Sequence, residues 1–263
     1  MKVSKLLDKV RKQKPIVHHL TNWVTIYDCA NIVKSFGASP VMAHAPEEVA
    51  DMAKIASALV LNIGTLTTDF IEAMKLAAMS ANSKGIPVIL DVCGAGATPF
   101  RDIKCFELLD QVRINIIKGN ASEIAKIAGE NVQTKGVDAG KVEKNLVSVA
   151  RHLAQARKAT VVITGKEDIV ADQSKTFIVR NGDEMMTHVV GTGCMAASVI
   201  GTFTAVHSDL AEAAAAGLAC YEIAAEQAAG KANGPADFKV KMFDAVFNLN
   251  GKTADLKQRI IKK

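Results

Sequence analysis

The chain alternates short, almost uninterrupted apolar runs with longer stretches of helical spacing, and this alternation constrains the fold more than any other feature. Most of the runs contain few polar residues, which is typical of strands buried on both faces of a parallel sheet. Strands separated by helices predict an α/β fold. The predicted strands are Ala38–Met42, Ala58–Ile63, Pro87–Val92, Ile114–Lys118 and Thr160–Thr164.

Helices are predicted where apolar residues recur at spacings of three and four. One such stretch ends at Gly85, a common helix stop, and another begins with Asn120 and Glu123 at the spacing of a capping box. A pair of short apolar runs near residue 170 predicts an antiparallel hairpin at an edge of the sheet. These elements are the helices Thr67–Ser83, Asn120–Ala128, Val142–Ala156 and Leu210–Ala229, and the hairpin strands Ile169–Ala171 and Lys175–Val179. We therefore expect one α/β domain over residues 1–263, with helices closing the C-terminus.

Composition narrows the functional classes. Of the 263 residues, 49% are hydrophobic and 22% are charged, as in a globular protein, and the 5% of aromatic residues disfavours a base-stacking platform. The net charge of +5 comes largely from lysines and arginines near the two ends, which is typical of solvated helix faces. We expect no nucleic-acid partner, while a mildly positive chain suits an anionic ligand such as a nucleotide.

The cysteines and the apolar segments indicate the compartment. The five cysteines are odd in number and form no Cys-x-x-Cys pair, so we predict neither a disulfide framework nor a zinc site, and a reducing, cytoplasmic compartment. The first 15 residues are charged, which argues against a signal peptide. Residues 185–208 lack Asp, Glu, Lys and Arg but include Gly, Thr and His, which predicts a loop leading into a buried helix and no membrane span.

Polar residues and glycines follow four of the predicted strands, where α/β sheets usually bind ligands. Asp91 comes directly after an apolar run, and Glu123 lies about one helical turn after Asn120. Both carboxylates are suitable Mg²⁺ ligands, directly or through water. The alternatives are that Asp91 forms a turn and that Glu123 only caps a helix.

The loop Gly191-Thr192-Gly193-Cys194 precedes a predicted helix. Its glycines allow positive φ angles and close approach of a ligand, and the helix N-terminus offers N–H groups and a positive dipole end. This combination predicts an anion site suited to a phosphate and favours the thiolate form of Cys194. The alternative is a tight turn in which Cys194 packs as a small apolar residue.

Several common motifs are absent from the sequence. No stretch fits GxxxxGK[ST], and Pro99 stands where the third glycine of a GxGxxG motif beginning at Gly94 would fall. The sequence contains neither GxSxG nor HExxH. A P-loop, a Rossmann dinucleotide site, a serine hydrolase and a zinc hydrolase are therefore disfavoured.

A series of motifs, in a fixed order along the chain, gives the strongest indication of function. They are His19-Leu20-Thr21-Asn22 with Ala30-Asn31, Gly37–Ala43, Asp91-x-x-Gly-Ala-Gly-Ala-Thr98, Gly119-Asn-Ala-Ser-Glu-Ile124, Ile163-Thr-Gly-Lys-Glu-Asp168 and Gly191-Thr-Gly-Cys-Met195. Together they resemble the motifs of hydroxyethylthiazole kinase, a member of the ribokinase-like superfamily. The resemblance extends over most of the chain.

The resemblance implies a ribokinase-like three-layer α/β/α sandwich with a mostly parallel central sheet, assembled as a homotrimer. It implies that ATP, with Mg²⁺, phosphorylates the primary alcohol of 4-methyl-5-(2-hydroxyethyl)thiazole in thiamine salvage. The family's roles fall on matching positions. They place Met42, Gly191 and Asn22 at the thiazole, Lys118, Thr164 and Asn120 at ATP, Asp91 and Glu123 at Mg²⁺, and Thr192, Gly193 and Cys194 at the catalytic turn.

The chain departs from its relatives at several positions. Cys194 stands where most sugar-kinase relatives carry an aspartate base, and a thiol has a reference pKa of about 8.5 against about 4 for a carboxyl group. We therefore expect catalysis to depend mainly on alignment and charge stabilisation. Val92-Cys93 replaces a Pro-Val pair, Lys118 replaces an arginine, and Tyr27-Asp28-Cys29 is atypical.

Three other functions remain open from the residues alone. The first is a related kinase that acts on another small alcohol, such as hydroxymethylpyrimidine or a sugar. The second is an acyl-transfer enzyme in which Cys194 is the nucleophile and His188 the base. The third is a nucleotide-binding protein without catalytic activity.

Overall fold

The computed structural model describes residues 2–130 and 145–263, and nine strands of this part of the chain form one mixed sheet. The strands are β1 Ile16–Leu20, β2 Ser39–Val41, β3 Ala58–Asn62, β4 Val88–Asp91, β5 Ile116–Asn120, β6 Thr160–Thr164, β7 Asp168–Ala171, β8 Thr176–Val179 and β9 Ile260–Lys262. Their order in the sheet is β2-β1-β3-β4-β5-β6-β7-β8-β9. Strands β1 to β6 run parallel, and β7, β8 and β9 each pair antiparallel with the preceding strand in that order.

Helices cover both faces of the sheet. They are α1 Val3–Gln13, α2 Ile26–Ser35, α3 Val49–Ile55, α4 Thr68–Lys84, α5 Pro99–Gln111, α6 Ala121–Ile127, α7 Leu146–Arg157, α8 Thr192–Thr204, α9 Leu210–Ala229, α10 Pro235–Asn248 and α11 Gly251–Lys257. One hydrophobic core joins the sheet to α1, α2 and α8 to α11, and the other joins it to α3 to α7. The expected three-layer α/β/α sandwich is confirmed.

The central strands show why their sequences are apolar throughout. In β3, Val60 packs into the core beneath α8, whereas Leu59 and Leu61 pack into the opposite core. Helix α8 lies very close to the sheet, because a Cβ atom at Gly201 would come 2.5 Å from Val60 Cγ2. This close packing fixes the height at which the N-terminus of α8 meets the strand ends.

The predicted elements are largely confirmed. All five predicted strands appear as β2 to β6, the predicted hairpin appears as β7 and β8, and the helix over 210–229 appears as α9 with the same limits. Gly85 ends α4 with a φ of 80°, as its position predicts. The predicted helix over 142–156 corresponds to α7, and its residues 142–144 lie outside the described residues.

The expected C-terminal helices are present as α8 to α11, but two strands were not predicted: β1, and β9, which follows these helices. Strand β1 contains His18 and His19, which break the apolar pattern but are buried as neutral rings; burial lowers the pKa of His19 to about 4. Strand β9 is short and partly exposed, and it is recognisable only by its pairing with β8. It replaces β8 at the edge of the sheet.

The uncharged segment 185–208 has the predicted form. Most of it lies in a 3₁₀ turn over Glu184–His188 and in α8, most of which is buried. In the described residues, no helix combines the length and the apolar character needed to cross a membrane.

Candidate active site

The carboxyl ends of the parallel strands bring distant polar residues together. The register pairs Asn62 of β3 with Asp91 of β4, and Asp91 with Lys118 of β5. It also pairs Asn120 with Thr164 at the end of β6. The N-terminus of α8 approaches the same edge, since a Cβ atom at Gly193 would lie 3.3 Å from Lys118 Nζ.

Asp91 and Lys118 form a buried ion pair at the centre of this edge. Lys118 Nζ lies 3.2 Å from Asp91 Oδ2, and Asn62 Nδ2 donates to the same oxygen at 2.8 Å. Burial raises the pKa of Asp91 to about 8, and the negative charges of Cys194 and Glu123 act in the same direction. The attraction of the Lys118 ammonium group opposes this shift only in part. Burial acts to lower the pKa of Lys118, but Asp91 and Glu123 more than offset it and keep the ammonium group charged.

Glu123 completes a capping box at the start of α6, so the alternative that it caps a helix is confirmed. The Asn120 side chain accepts from Glu123 N at 2.9 Å, and Glu123 Oε2 accepts from Asn120 N at 2.7 Å. Glu123 Oε1 accepts from Gly94 N, also at 2.7 Å. The cap therefore holds the carboxylate in a fixed orientation between the ends of β4 and β5. This orientation is compatible with the predicted second role of Glu123 as a Mg²⁺ ligand.

Gly191 allows α8 to begin where it does. Its φ is +96°, and a Cβ atom there would come 2.6 Å from Thr25 Cγ2, so no other residue fits without displacement. Thr192 Oγ1 donates to Met186 O at 3.0 Å, and Tyr221 OH donates to Thr192 O at 3.1 Å. Thr192 thus fixes the turn, and its hydroxyl group points to the preceding loop.

Cys194 lies in the first turn of α8, where two amides and a thiol surround its sulfur. Asn22 Nδ2 lies 3.2 Å and Asn62 Nδ2 3.4 Å from Cys194 Sγ. A hydrogen bond from Cys93 lowers the pKa of Cys194 to about 5, with help from Lys118 and against the effect of burial. The same hydrogen bond, with burial, raises the pKa of Cys93. The amide donors, Cys93 and Lys118 all favour the thiolate form of Cys194, which agrees with the activated cysteine predicted from the sequence.

The orientation of Asn22 follows from its own hydrogen bonds. Its Oδ1 accepts from Thr25 N at 3.1 Å and from Thr25 Oγ1 at 3.0 Å, which turns Nδ2 toward Cys194. His188 lies at the exposed end of the 3₁₀ turn. Within residues 2–130 and 145–263, the hydrogen bonds described for Cys194 Sγ involve no histidine, which disfavours a cysteine–histidine nucleophile.

The remaining predicted site residues lie on the two sides of this cluster. Thr164 is half-buried at the end of β6, and its hydroxyl donates to Gly119 O at 3.4 Å. It lines a cavity of about 760 Å³ that also includes Thr192, Gly193 and Tyr221. Met42 lies one residue after β2, on the other side, and His44 Nδ1 contacts its carbonyl oxygen at 3.3 Å.

Asn62 and Cys93 were not predicted as site residues. Asn62 contacts Asn22, Asp91 and Cys194, and Cys93 reaches Cys194 across the sheet edge. The sequence does contain a signal for Asn62: it is the polar residue at the end of an apolar strand, directly before Ile63-Gly64, and such strand ends commonly carry site residues. Cys93 was noticed only as a departure from a Pro-Val pair, and nothing in the sequence indicates its contact with Cys194.

Comparisons with known proteins give a consistent result. Residues 7–252 match the family model described as the hydroxyethylthiazole kinase family. A hydroxyethylthiazole kinase from Methanosarcina acetivorans is 56% identical over 244 residues, which cover 93% of this chain and 94% of that protein.

Solved structures agree with this match. The structure of a hydroxyethylthiazole kinase protein from Pyrococcus horikoshii superposes with a TM-score of 0.91 at 36% identity and covers 99% of this chain and 98% of that chain. A ribokinase-like superfamily protein from Enterococcus faecalis superposes with a TM-score of 0.66 at 13% identity, covering 91% of this chain and 93% of that chain. At that identity the likeness shows the fold alone.

Proposed function

The chain belongs to the hydroxyethylthiazole kinase family, and on that premise we propose that the site described above transfers the γ-phosphoryl group of ATP to the primary alcohol of 4-methyl-5-(2-hydroxyethyl)thiazole. This reaction is a salvage step of thiamine biosynthesis. One observation carries the assignment to this site: the buried Asp91–Lys118 pair meets the N-terminus of α8 at Cys194. A helix N-terminus beside a buried ammonium group is suited to a phosphoryl group under transfer.

The alcohol would bind on the Asn22 side of Cys194. Asn22 Nδ2 is a donor held in place by Thr25, and Gly191, which has no side chain of its own, packs its backbone against the same threonine. Met42 lies beyond β1 at the neighbouring sheet edge. We assign Met42, Asn22 and Gly191 to the thiazole on the family resemblance, and this geometry supports an acceptor pocket next to the thiolate.

ATP would bind on the opposite side, in the cavity between the end of β6 and α8. Thr164 and Gly193 line this cavity, and the buried Lys118 ammonium group lies beside Gly193, since a Cβ atom there would be 3.3 Å from Lys118 Nζ. The triphosphate then points toward the start of α8, where N–H groups and the ammonium group of Lys118 attract it. Lys118 offers a point charge in place of the two-pronged contact of an arginine. Asn120 is assigned to ATP by resemblance, and its side-chain oxygen also caps α6.

Asp91 and Glu123 fit a Mg²⁺ ion by their chemistry. Both offer oxygen ligands, and Mg²⁺ in nucleotide sites usually takes one or two carboxylates with water and phosphate oxygens for the rest. In the described part of the chain, no group of three or more His, Cys, Asp or Glu residues is arranged to hold a metal ion. Burial raises the pKa of both Asp91 and Glu123, and Lys118 is the ammonium group that opposes this effect at both, so a bound cation would favour their ionised forms. When bound, Mg²⁺ supplies charge neutralisation at the phosphate oxygens.

The chain's own groups would align the reactants and take the proton. Lys118 and the first N–H groups of α8 stabilise the charge of the transferred phosphoryl group. Asn22 and Asn62 hold the sulfur of Cys194 beside the position that the attacking hydroxyl group would occupy. A thiolate with a pKa of about 5 is a weak base, so it accepts the proton late and contributes little to the rate.

A coupled ADP-release assay with Mg-ATP tests the proposed substrate. The panel contains the thiazole alcohol, hydroxymethylpyrimidine and ribose. We expect turnover with the thiazole alcohol and at least about a hundredfold lower kcat/KM with the other two, about 2.7 kcal/mol of discrimination. Turnover confined to another alcohol would retain the phosphoryl-transfer site but overturn the substrate.

We also propose that the protein is a homotrimer, on the family resemblance. A cluster of exposed apolar side chains next to Asn22 and Gly191 supports a subunit contact on that side of the site. More than half of the surface is exposed in each of its members, Trp23, Val24, Tyr27 and Val190. Sedimentation equilibrium should give a mass near that of three 27.9 kDa chains. A monomer mass at micromolar concentration would contradict this proposal. The cytoplasmic location remains a proposal that the free thiols of all five cysteines support.

A further inference from the structure

Two buried carboxyl groups, Asp168 and Glu222, adjoin one another at the wall of the nucleotide cavity. Asp168 begins β7 and is 3% exposed, and Glu222 lies in the middle of α9 and is 6% exposed. Both line the same cavity as Thr164 and Gly193, yet neither belongs to the cluster around Asp91, Lys118 and Cys194. A pair of buried acids requires an explanation, because isolated buried carboxylates are costly.

Each member of the pair has a distinct set of contacts. Asp168 Oδ1 accepts a hydrogen bond from Gly165 N at 2.9 Å, across the turn that joins β6 to β7. Glu222 Oε2 is fully buried and finds no donor in the described residues. Gly182 covers the Glu222 carboxyl group, since a Cβ atom at Gly182 would lie 3.8 Å from Glu222 Cδ. The carboxyl group that Glu222 meets instead is that of Asp168.

Two adjoining buried carboxyl groups share a proton when, as here, one of them has no other donor in the described residues. Burial raises the pKa of Glu222 well above its ordinary value, and the negative charge of Asp168 raises it further. Burial also raises the pKa of Asp168, but the hydrogen bonds from Glu222 and from Gly165 N act in the opposite direction. Glu222 therefore keeps the proton and donates a hydrogen bond to Asp168, which also accepts a hydrogen bond from Gly165 N.

The other charged groups near the pair leave this arrangement in place. Glu226, one turn along α9, raises the pKa of Glu222, and Arg259 acts in the opposite direction. Arg259 Nη2 is engaged with Glu226 Oε1 at 2.6 Å. Lys118 of β5 lowers the pKa of Asp168, and the buried Tyr221 phenol, whose own pKa is raised by burial, stays neutral. No positive side chain in the described residues forms an ion pair with Glu222 itself.

We propose that Asp168 and Glu222, sharing one proton, are positioning residues that hold the Thr164–Gly165 turn in the form that binds ATP. The proposal rests on the proposed function in one respect, which is that the cavity beside Thr164 receives the nucleotide. Asp168 is bonded to Gly165, and Thr164 is the residue directly before it at the cavity wall. Glu222 acts through Asp168 and does not touch the nucleotide.

Loss of the shared proton would release the turn. Two ionised carboxylates side by side in a buried site repel each other, so Asp168 would move away from Gly165 N and Thr164 would lose its fixed position. The pair keeps its shared proton at a pH where a free carboxyl group would be ionised. The turn therefore stays in its ATP-binding form, and ATP binds strongly, at lower pH. It weakens as the pH rises through the elevated pKa of the pair.

Isothermal titration calorimetry with Mg-ATP measures this effect without requiring turnover. We would determine Kd from about pH 6 to about pH 10, a range above the ordinary carboxyl pKa of about 4, for the full-length wild type and for Glu222→Gln. The glutamine amide keeps the donated hydrogen bond but has no proton to lose. Glu222→Ala removes the donor altogether, and Glu212→Gln, in the first turn of the same helix α9, is the matched control for changes in the nucleotide's own charge.

The variants have different expected profiles. Relative to Glu222→Gln, the wild type and Glu212→Gln should lose about tenfold in affinity across the range, as expected if the proton is bound about tenfold more tightly when ATP is bound. Glu222→Ala should bind about tenfold more weakly than Glu222→Gln at every pH, provided that its melting curve shows a folded protein. Titrations in buffers of different ionisation enthalpy should show proton uptake on ATP binding in the wild type and less in Glu222→Gln.

Two results would overturn the proposal. The first is a wild-type profile parallel to that of Glu222→Gln, and the second is an absence of ATP binding at every pH in folded protein. The coupled ADP-release assay distinguishes failure of this positioning role from an incorrect assignment of the substrate. ATP binding with the expected profile, but no phosphorylation of the thiazole alcohol, would retain the positioning role and contradict the substrate assignment.

Discussion

The side-chain nitrogen of Asn22 lies 3.2 Å from the sulfur of Cys194, although the two residues are 172 positions apart in the chain. Asn22 follows β1, and Cys194 lies in the first turn of α8, so the contact exists only because the sheet and the helix meet at one edge. Asn62 connects the same sulfur to the Asp91 carboxyl group. The candidate base and the candidate metal ligand are thus joined by one buried amide.

Replacing Asn62 tests this connection. Asn62→Ala removes donors to Asp91 and Cys194, and hydrogen bonds to charged groups contribute about 1.5–3 kcal/mol each. We expect kcat to fall by about tenfold to a hundredfold in the coupled ADP-release assay. Asn31→Ala is the control, because in the described residues the Asn31 side chain donates only to the carbonyl oxygen of Tyr27 in α2, and its kcat should match the wild type. Equal kcat values for both variants would contradict the role of Asn62.

The Cys194→Ser variant tests whether the thiolate is needed as a base. A serine hydroxyl keeps the position but is not ionised at neutral pH, so it cannot accept a proton as the thiolate does. Since alignment and charge stabilisation carry most of the rate in this account, we expect kcat to stay within about tenfold of the wild type. A loss of about a thousandfold or more, with an unchanged melting temperature, would show that Cys194 is an essential base.

The pH dependence of alkylation tests the ionisation of Cys194. The thiolate is the form that reacts with iodoacetamide, so the rate rises with pH through the pKa of Cys194, at about 5. Cys93→Val removes the hydrogen bond that favours the thiolate, and the midpoint should move upward, toward the reference value of about 8.5. Cys29, Cys105 and Cys220 are buried with raised pKa values and should stay unmodified in the folded protein. Identical midpoints with and without Cys93 would contradict the contact.

Substitution of Gly191 tests the start of α8. Gly191→Ala places a Cβ atom 2.6 Å from Thr25 Cγ2 at a φ of +96°, whereas Gly85→Ala has a φ of +80° with nothing within 4 Å. Both should lose about 1 kcal/mol or more in free energy of unfolding from backbone strain. Only Gly191→Ala should also lose activity, by at least about tenfold. Adding Thr25→Ser, which removes the clashing methyl group, should restore part of it; equal activity in both alanine variants would contradict the steric argument.

The sequence was sufficient for much of the fold and for part of the site. Strands β3 to β6 are predictable because burial on both faces requires uninterrupted apolar runs, as Leu59, Val60 and Leu61 show. Strand β1 was missed because His18 and His19 look like surface residues, and only the fold shows that their rings are buried as neutral groups. Strand β9 depends on pairing with β8, which is a long-range contact with no local signal.

The limits of the site prediction have the same origin. Asp91, Lys118 and Cys194 come from motifs, and the structure brings them together. The contact of Cys93 with Cys194 and the pairing of Asp168 with Glu222 join residues on different elements. Neither has a local pattern, because the strand register and the helix packing that create them are properties of the whole sheet.

The most direct test is to identify the product by mass spectrometry. Full-length protein is incubated with Mg-ATP and the thiazole alcohol, and formation of the thiazole phosphate is followed for the wild type and for Asp91→Asn. We expect the wild type to form the phosphate with an equal amount of ADP. Asp91→Asn removes the charge that would hold Mg²⁺, so it should form the phosphate at least about a hundredfold more slowly while it remains folded. Absence of the phosphate with the wild type, or an equal rate with Asp91→Asn, would contradict the central claim that this site phosphorylates the thiazole alcohol.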